Sequence, residues 1–172
     1  MNAAPRRVVT GHDAAGVSIV LSDGAPPVVR TAPDGALFYE IWNTGAAPAP
    51  IAPDEPEPTE RSLTVPPDPC GTKIRINVFP PGLISPTHRT QSVDYGIVLQ
   101  GEVVLVLDGS ETVLHAGDVV VQRGTDHRWE NRSNGWATMA FILVDGFFTG
   151  GLRSLLPPDV LDGLMTDPLS HH

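Results

Sequence analysis

A chain of 172 residues is long enough for one globular domain that holds a core without metal or disulfide staples. Its 20 acidic residues against 11 basic ones give a formal net charge of −9, which opposes binding to nucleic acid and to anionic membranes. The single cysteine, Cys70, excludes an internal disulfide. With 17 glycines and 18 prolines, the composition favours a turn-rich all-β domain over a helical bundle.

The N-terminal segment, residues 1–7, carries two arginines and no apolar stretch follows it. The chain nowhere approaches the roughly 18 consecutive apolar residues of a membrane span. We therefore expect a cytoplasmic protein whose partners include neither a membrane nor nucleic acid.

Short apolar runs predict extra strands in residues 1–44. The runs 8–9, 17–21 and 37–42 are apolar, and turn residues such as Ser22-Asp23-Gly24 separate them. Residues 45–70 are rich in proline, alanine and glutamate, a composition typical of extended chain. This segment is predicted to be a long surface loop.

Residues 72–146 carry the densest strand signals and are predicted to form the core barrel of a single domain spanning 1–172. The predicted strands are 72–79, 94–100, 103–107, 112–114, 119–122, 127–131 and 138–144. Short strands at this even spacing, with turns such as Asp108-Gly109 between them, indicate a sandwich or barrel. Residues 157–165, which begin with two prolines, predict a short C-terminal helix.

Two glycine-bounded units carry the candidate chemistry. In the first, five residues separate Gly82 from His88; Thr90, Asp94 and the closing Gly101 follow. The second begins at Gly117, passes through Arg123-Gly124, and places His127 before Asn131 with three residues between them. Because residues two apart on a strand face the same way, His88 and Thr90 are expected to point inward together.

These units resemble the two sequence motifs of the cupin superfamily, in small single-domain members of conserved-barrel type. The resemblance covers roughly residues 72–146 and implies an all-β fold, the cupin double-stranded β-helix or jelly-roll barrel, with N-terminal extra strands and a short C-terminal helix. It also implies one divalent metal ion bound by His88, Asp94 and His127. Thr90 replaces the family's second histidine, Asp94 replaces its glutamate, and Arg123-Gly124 stands where Pro-x-Gly is usual.

Two imidazoles and a carboxylate accept Fe, Zn, Mn or Ni, so the identity of the metal stays open. Asp94 has an alternative role as a hydrogen-bonding residue beside Tyr95-Gly96. Five residues near the predicted barrel mouth are substrate-binding candidates: Thr90, Gln122, Trp129, Arg89 and Arg123. Gln122 is alternatively a metal ligand or a hydrogen-bond partner of one, and Trp129 a packing residue.

The remaining histidines are interpreted as ordinary polar side chains: His12, His115, His171 and His172. The arginine candidates, Arg89 and Arg123, suit a carboxylate because a guanidinium binds it with two parallel hydrogen bonds. No catalytic residue is assigned.

The resemblance implies a metal-dependent enzyme that acts on a small, partly apolar carbonyl or carboxylate metabolite, with decarboxylase, dehydratase, isomerase or cyclase chemistry. Two alternatives stay open, a non-haem iron dioxygenase and a non-catalytic cupin that binds a small molecule. The family also implies a homodimer, in which the first forty residues form the contact.

Overall fold

The computed structural model describes residues 4–165, so His171 and His172 lie outside the described residues. Within that range the chain forms eleven strands and one short helix. They are β1 (Arg7–His12), β2 (Ser18–Gly24), β3 (Val28–Thr31), β4 (Leu37–Thr44), β5 (Thr72–Phe79), β6 (Ser92–Gln100), β7 (Glu102–Leu107), β8 (Glu111–His115), β9 (Val119–Arg123), β10 (His127–Glu130), β11 (Ala137–Asp145) and α1 (Gly150–Arg153).

Antiparallel pairing organises the strands into three sheets. The largest sheet has the order β3-β4-β5-β11-β6-β9, the second has the order β10-β7-β8, and β1 pairs only with β2. The two larger sheets contribute side chains to one shared apolar core, which includes Phe79, Val98, Val103, Trp129 and Phe141. Burial of each large apolar side chain contributes about 1.5–3 kcal/mol to folding. The predicted all-β barrel is confirmed.

The motif glycines occupy backbone positions that other residues adopt at a cost. Gly101 ends β6 with a φ of 78°, and a Cβ there would lie 2.7 Å from the carbonyl oxygen of Trp136. Gly124 has a φ of 61° in the turn between β9 and β10. Left-handed backbone favours glycine because it lacks a Cβ, so these residues fix the turns on either side of the candidate site.

The helix predicted for residues 157–165 is wrong. This segment consists of successive turns, in which the amide of Val160 donates to Pro157 and that of Asp162 donates to Asp159. Two prolines and a glycine within so short a segment make a continuous helix unfavourable. The short helix α1 lies earlier and is capped by Thr149, whose side chain accepts from the amide of Leu152.

A long connection, residues 45–71, joins β4 to β5 without a strand or helix of its own. Leu63 and Val65 within it are buried. The ammonium of Lys73 on β5 donates to the carbonyl oxygens of Thr64 and Pro66, which ties the loop to the barrel. Val65 thereby becomes part of the wall of an internal cavity.

The β1–β2 hairpin leaves much of its apolar surface exposed, including Val17, Val20 and Leu21. Arg7 ties the hairpin to the body by donating to the carbonyl oxygen of Ile41 and to the carboxylate of Glu57. Among the residues that the structure describes, no helix has the length and apolar character needed to cross a membrane.

Candidate functional site

A cavity of about 170 Å³ lies inside the barrel. Aromatic side chains from both large sheets, Phe38, Phe79, Trp129 and Phe141, form much of its wall. The polar part of the wall includes Arg75, Asn77, His88, Thr90, Asp94 and His127. A mostly apolar cavity with a few convergent polar groups is the usual form of a small-molecule site.

His88 and His127 meet because their backbones form a two-residue antiparallel bridge. The amide of His88 donates to the carbonyl of His127 over 2.9 Å, and the reciprocal bond is 3.0 Å long. Directly opposed residues in such a pair project to the same face. The ring centroids are therefore only 4.2 Å apart, with the rings tilted by 51°.

Each imidazole has its Nδ1 atom beside a backbone carbonyl oxygen. Nδ1 of His88 lies 3.0 Å from the oxygen of Pro86, and Nδ1 of His127 lies 3.0 Å from that of Thr125. Because a carbonyl can only accept, Nδ1 of His88 carries the proton and donates it, which leaves Nε2 as the basic nitrogen of that ring. Nδ1 of His127 lies between an acceptor, the carbonyl oxygen of Thr125, and a donor, the side-chain amide nitrogen of Gln122.

Both rings are held in the neutral form. Burial lowers the pKa of His127 to about 3, with a further lowering from the nearby His88. Burial also lowers the pKa of the half-buried His88. The pair therefore presents two uncharged imidazoles at neutral pH, because two positive charges at this separation would repel strongly in a dry site.

Asp94 lies on β6 directly opposite Gln122 on β9. Its carboxylate is buried and interacts with the hydroxyls of Ser92 and Thr90, which lower its pKa, but burial is the larger effect and raises it. Oδ1 of Asp94 has no hydrogen-bond partner among residues 4–165. A buried, unsatisfied carboxylate oxygen is costly, so this atom has unused capacity to bind a donor.

Comparison with known proteins identifies the family. The Cupin domain model matches residues 76–144, which include both histidines of the pair. Phomopsin biosynthesis cluster protein C' from Diaporthe leptostromiformis is 39% identical over 167 residues, covering 88% of this chain and 87% of the relative. A cupin-domain-containing oxidoreductase from Aspergillus ruber is 36% identical over 148 residues, covering 81% of this chain and 71% of the relative. This chain belongs to the cupin superfamily.

A solved structure supports the fold of this cupin over nearly its whole length. The cupin domain of Schizosaccharomyces pombe Cnp3 aligns with a TM-score of 0.52 and covers 94% of this chain and 96% of that one. At 12% sequence identity, the likeness shows the shared double-stranded β-helix fold alone.

Cupins commonly bind a metal ion, and the donor set of this cupin can be compared with that expectation. Within the range 4–165, no three His, Cys, Asp or Glu side chains lie close enough together to hold a metal ion. His88 and His127 form a pair of neutral nitrogen donors, but Asp94 does not complete a third position. Metal binding by His88, Asp94 and His127 therefore stays a prediction, one that the geometry of the donors does not support.

The structure separates the five substrate-binding candidates. Thr90 and Trp129 line the cavity, and Trp129 packs edge-on against His127 with centroids 5.8 Å apart. The side-chain amide of Gln122 contacts Nδ1 of His127, so its role is to position that ring.

The two predicted arginines lie elsewhere. Arg89 interacts at 3.4 Å with the carboxylate of Asp126 and at 3.3 Å with the carbonyl oxygen of Gly124. Arg123 is exposed on β9 and borders a separate depression beside Phe147. Neither arginine belongs to the cavity wall. Arg123 alternates out of phase with the buried Gln122 on the same strand, and the guanidinium of Arg89 interacts with Asp126 instead.

Sequence reasoning missed the arginine that does line the cavity. Lys73, Arg75 and Asn77 alternate along β5 and are all buried, whereas Ile74 and Ile76 between them are only partly buried. The inward face of this strand is therefore its polar face. The signal available in the sequence was the regular alternation of polar residues, which is equally typical of an ordinary solvent-facing side.

Proposed function

We propose that this cupin is an enzyme of small-molecule biosynthesis that acts on a small, partly apolar carbonyl or carboxylate metabolite bound in the barrel cavity. The observation that carries the proposal is the pair of neutral imidazoles, His88 and His127, on the wall of a mostly apolar cavity inside the barrel. The relatives named for a biosynthesis cluster and as an oxidoreductase support a catalytic role.

Of the histidine pair, His88 is suited to proton transfer at the bound metabolite. With its Nδ1 donating to the carbonyl oxygen of Pro86, Nε2 of His88 is the atom that can accept a proton and return it, whereas the pKa of His127, lowered to about 3, makes that ring a weak base. Transfer of a proton next to a carbonyl group is common to isomerisation, dehydration and cyclisation. A general base of this kind typically accelerates a reaction about 10²- to 10⁴-fold.

Neighbouring side chains hold the pair in position and keep water away. Trp129 packs edge-to-face on Phe141 with centroids 5.2 Å apart, which makes a rigid apolar wall beside His127. The side-chain amide of Gln122 contacts Nδ1 of the same imidazole and so restrains its orientation. Exclusion of water strengthens each remaining polar contact with the substrate.

Hydrogen–deuterium exchange tests the proposal without knowledge of the natural substrate. A panel of small keto acids and diketones is incubated with the protein in deuterated buffer, and exchange at the carbon beside the carbonyl is followed by NMR. We expect at least one compound to exchange in the presence of the wild-type protein and not with a His88→Gln/His127→Gln double variant. Exchange that survives in the folded double variant would overturn the proposal.

An oxidoreductase of dioxygenase type is the second candidate, and the printed name of the Aspergillus ruber relative favours it. Anaerobic incubation with ferrous iron, followed by oxygen-uptake measurements on aromatic diols and diketones, tests this candidate. Uptake that requires both added iron and His127 would favour it over the proton-transfer enzyme. A cavity that binds these compounds without turnover or exchange would favour the non-catalytic binding protein.

We also propose a homodimer formed through the β1–β2 hairpin. The support is the number of apolar side chains that the hairpin leaves exposed on its two faces, including Val17, Ile19, Val20 and Leu21, since exposed apolar surface commonly marks an interface. Light scattering after size-exclusion should give twice the 18.3 kDa chain mass, and a Val20→Glu/Leu21→Glu variant should give one chain mass. A wild-type monomer would contradict the proposal.

A further inference from the structure

The inward face of β5 places a line of polar groups inside the barrel. Lys73, Arg75 and Asn77 are buried on this face. In the strand register Arg75 lies between Glu40 of β4 and Phe141 of β11, which are its direct cross-strand neighbours. Arg75 and Asn77 both line the cavity, on the large sheet, whereas His127 belongs to the smaller sheet.

The guanidinium of Arg75 is buried but poorly satisfied. Only 6% of the residue is exposed. Its Nε has no hydrogen-bond partner within the described part of the chain, and its Nη1 makes a long contact of 3.4 Å with the carbonyl oxygen of Val65. The group is nevertheless held in place, because it lies 5.0 Å over the ring of Phe38. A guanidinium that is fixed in place and keeps an unpaired Nε donor is prepared to bind a planar anion.

The charges around Arg75 leave an excess of positive charge. The buried cations are Arg30, Lys73 and Arg75, and the buried anions that interact with them are Glu40 and Asp94. The charge of Asp68 also acts on Lys73, but Asp68 is paired with Arg61, so that pair adds one charge of each sign and leaves the excess unchanged. An uncompensated charge in a barrel interior costs several kcal/mol, and an anion in the cavity would remove that cost.

The buried carboxylate of Glu40 does not form a hydrogen bond with the guanidinium of Arg75. Glu40 is fully buried, and neither of its carboxylate oxygens has a hydrogen-bond partner among residues 4–165. Its nearest cationic contact is to Nε of Arg30, at 3.5 Å. Asn77 on the same face brings an amide Nδ2 group that can donate to an anion, whereas its buried Oδ1, which has no partner among residues 4–165, is an acceptor and takes no part in binding a carboxylate.

We infer that Arg75 and Asn77 form a carboxylate-binding subsite, so that the cavity selects a small aromatic or comparably apolar carboxylate over its uncharged analogues. The inference rests on the proposed function, since it assigns the substrate class of the same cavity. The carboxylate binds to the β5 wall, the apolar body packs on Phe141 and Trp129, and the remaining end of the molecule faces His88 and His127. A cavity of about 170 Å³ suits one ring, because an engineered cavity of roughly 150 Å³ binds benzene.

Calorimetric titration with matched probes tests this subsite. Benzoate and phenylacetate are the anionic probes, and benzamide and phenylacetamide are their uncharged partners of nearly equal shape. We expect the wild-type protein to bind the acids more tightly than the amides. Arg75→Gln should weaken binding of the acids about 10- to 100-fold, the usual effect of losing a charge-assisted pair of hydrogen bonds, and should leave the amides nearly unchanged.

Further variants keep the test valid if Arg75→Gln does not fold. Arg75→Lys retains the charge but not the two-pronged geometry, so it should give an intermediate loss of acid binding, and Asn77→Leu should give a smaller loss. Arg123→Gln is the matched control outside the cavity and should bind as wild type does. Thermal unfolding of each variant separates loss of binding from loss of fold.

Three results would overturn the inference. They are equal affinity of the wild type for acids and amides, retained acid preference in a folded Arg75→Gln variant, and no binding of any probe at millimolar concentration. Acid binding through Arg75 in a protein whose exchange activity ignores His88 and His127 would keep this inference and overturn the proposed function. Exchange that depends on the histidines, in a protein with no preference for acids over amides, would keep the proposed function and overturn this inference.

Discussion

The two polar walls of the cavity are held in different ways. On the histidine wall, His88 and His127 are joined by reciprocal backbone hydrogen bonds, and each Nδ1 atom lies beside a carbonyl oxygen. On the β5 wall, Arg75 and Asn77 have buried atoms with no partner within residues 4–165. The histidines are held by hydrogen bonds of their own, whereas the charged Nε donor of Arg75 has no partner within residues 4–165. We propose that the first wall transfers the proton and that the second binds the carboxylate.

The largest expected effect concerns the histidine wall. His88→Ala should lower turnover or exchange about 10²- to 10⁴-fold, because Nε2 of that ring is lost. Stability should change far less than activity, since the barrel core includes many other apolar side chains. His115→Ala, on the exposed edge of β8, is the control and should retain activity. Equal activity of the two variants would show that the pair is not catalytic.

His127→Ala tests the metal prediction. Metal analysis of wild-type protein purified without a chelating column should show far less than one equivalent, because within residues 4–165 no third His, Cys, Asp or Glu side chain lies close enough to His88 and His127 to complete a site. A full equivalent of a divalent metal that disappears in His127→Ala would favour the metal-dependent enzyme instead.

On the β5 wall, removal of the anion Glu40 should destabilise the fold more than removal of one of the cations. Glu40→Gln leaves Arg30, Arg75 and Lys73 without their fully buried counter-charge, so unfolding free energy should fall by about 3–5 kcal/mol. Urea denaturation measures this loss. Glu60→Gln, at an exposed loop position, should change it by less than about 0.5 kcal/mol.

Replacement of Arg75 itself should not destabilise the ligand-free protein. Arg75→Leu removes a buried cation from a cluster with an excess of them, so the ligand-free protein should be as stable as the wild type or more stable. If Arg75→Leu is as destabilising as Glu40→Gln, the guanidinium is a structural partner of Glu40 and the two walls do not differ as described.

A smaller effect follows from Lys73 at the end of the same wall. Burial is the main cause that lowers the pKa of Lys73 to about 8 in the folded protein, from 10.5. Between pH 8 and 10.5 the unfolded chain therefore holds more protons at this group, and stability should rise with pH by up to about 1.4 kcal/mol per unit. Denaturation of wild type and Lys73→Met at several pH values isolates this contribution. Parallel pH profiles would contradict it.

The contrast between the walls also explains what the sequence could predict. His88 and His127 are marked by glycines at fixed separations, and those glycines fix turns, so the spacing carries the geometry. Trp129 is in phase with His127 on one strand, and this too is readable. No motif in the sequence identifies Arg75 as a cavity residue. Its side chain lies inside the barrel because β5 pairs between β4 and β11, and this pairing is not visible in the local sequence.

The site predictions that the geometry does not support have similar physical causes. Arg89 and Arg123 lie next to motif residues in the sequence, but neighbouring side chains on a strand face opposite ways. Arg89 forms an ion pair with Asp126, and Arg123 is exposed to solvent. Asp94 faces inward, yet its strand position sets it beside Gln122 and the hydroxyl groups of Ser92 and Thr90. Distances between separate strands depend on packing, which local spacing does not encode.

A crystal structure of this cupin with phenylacetate in the barrel tests the central claim most directly. We predict the carboxylate against Arg75 and Asn77, the ring beside Trp129 and Phe141, and the imidazoles of His88 and His127 adjacent to each other at the far side of the ligand. A ligand bound outside the cavity, or a cavity in which the two imidazoles lie apart and face solvent, would contradict the account.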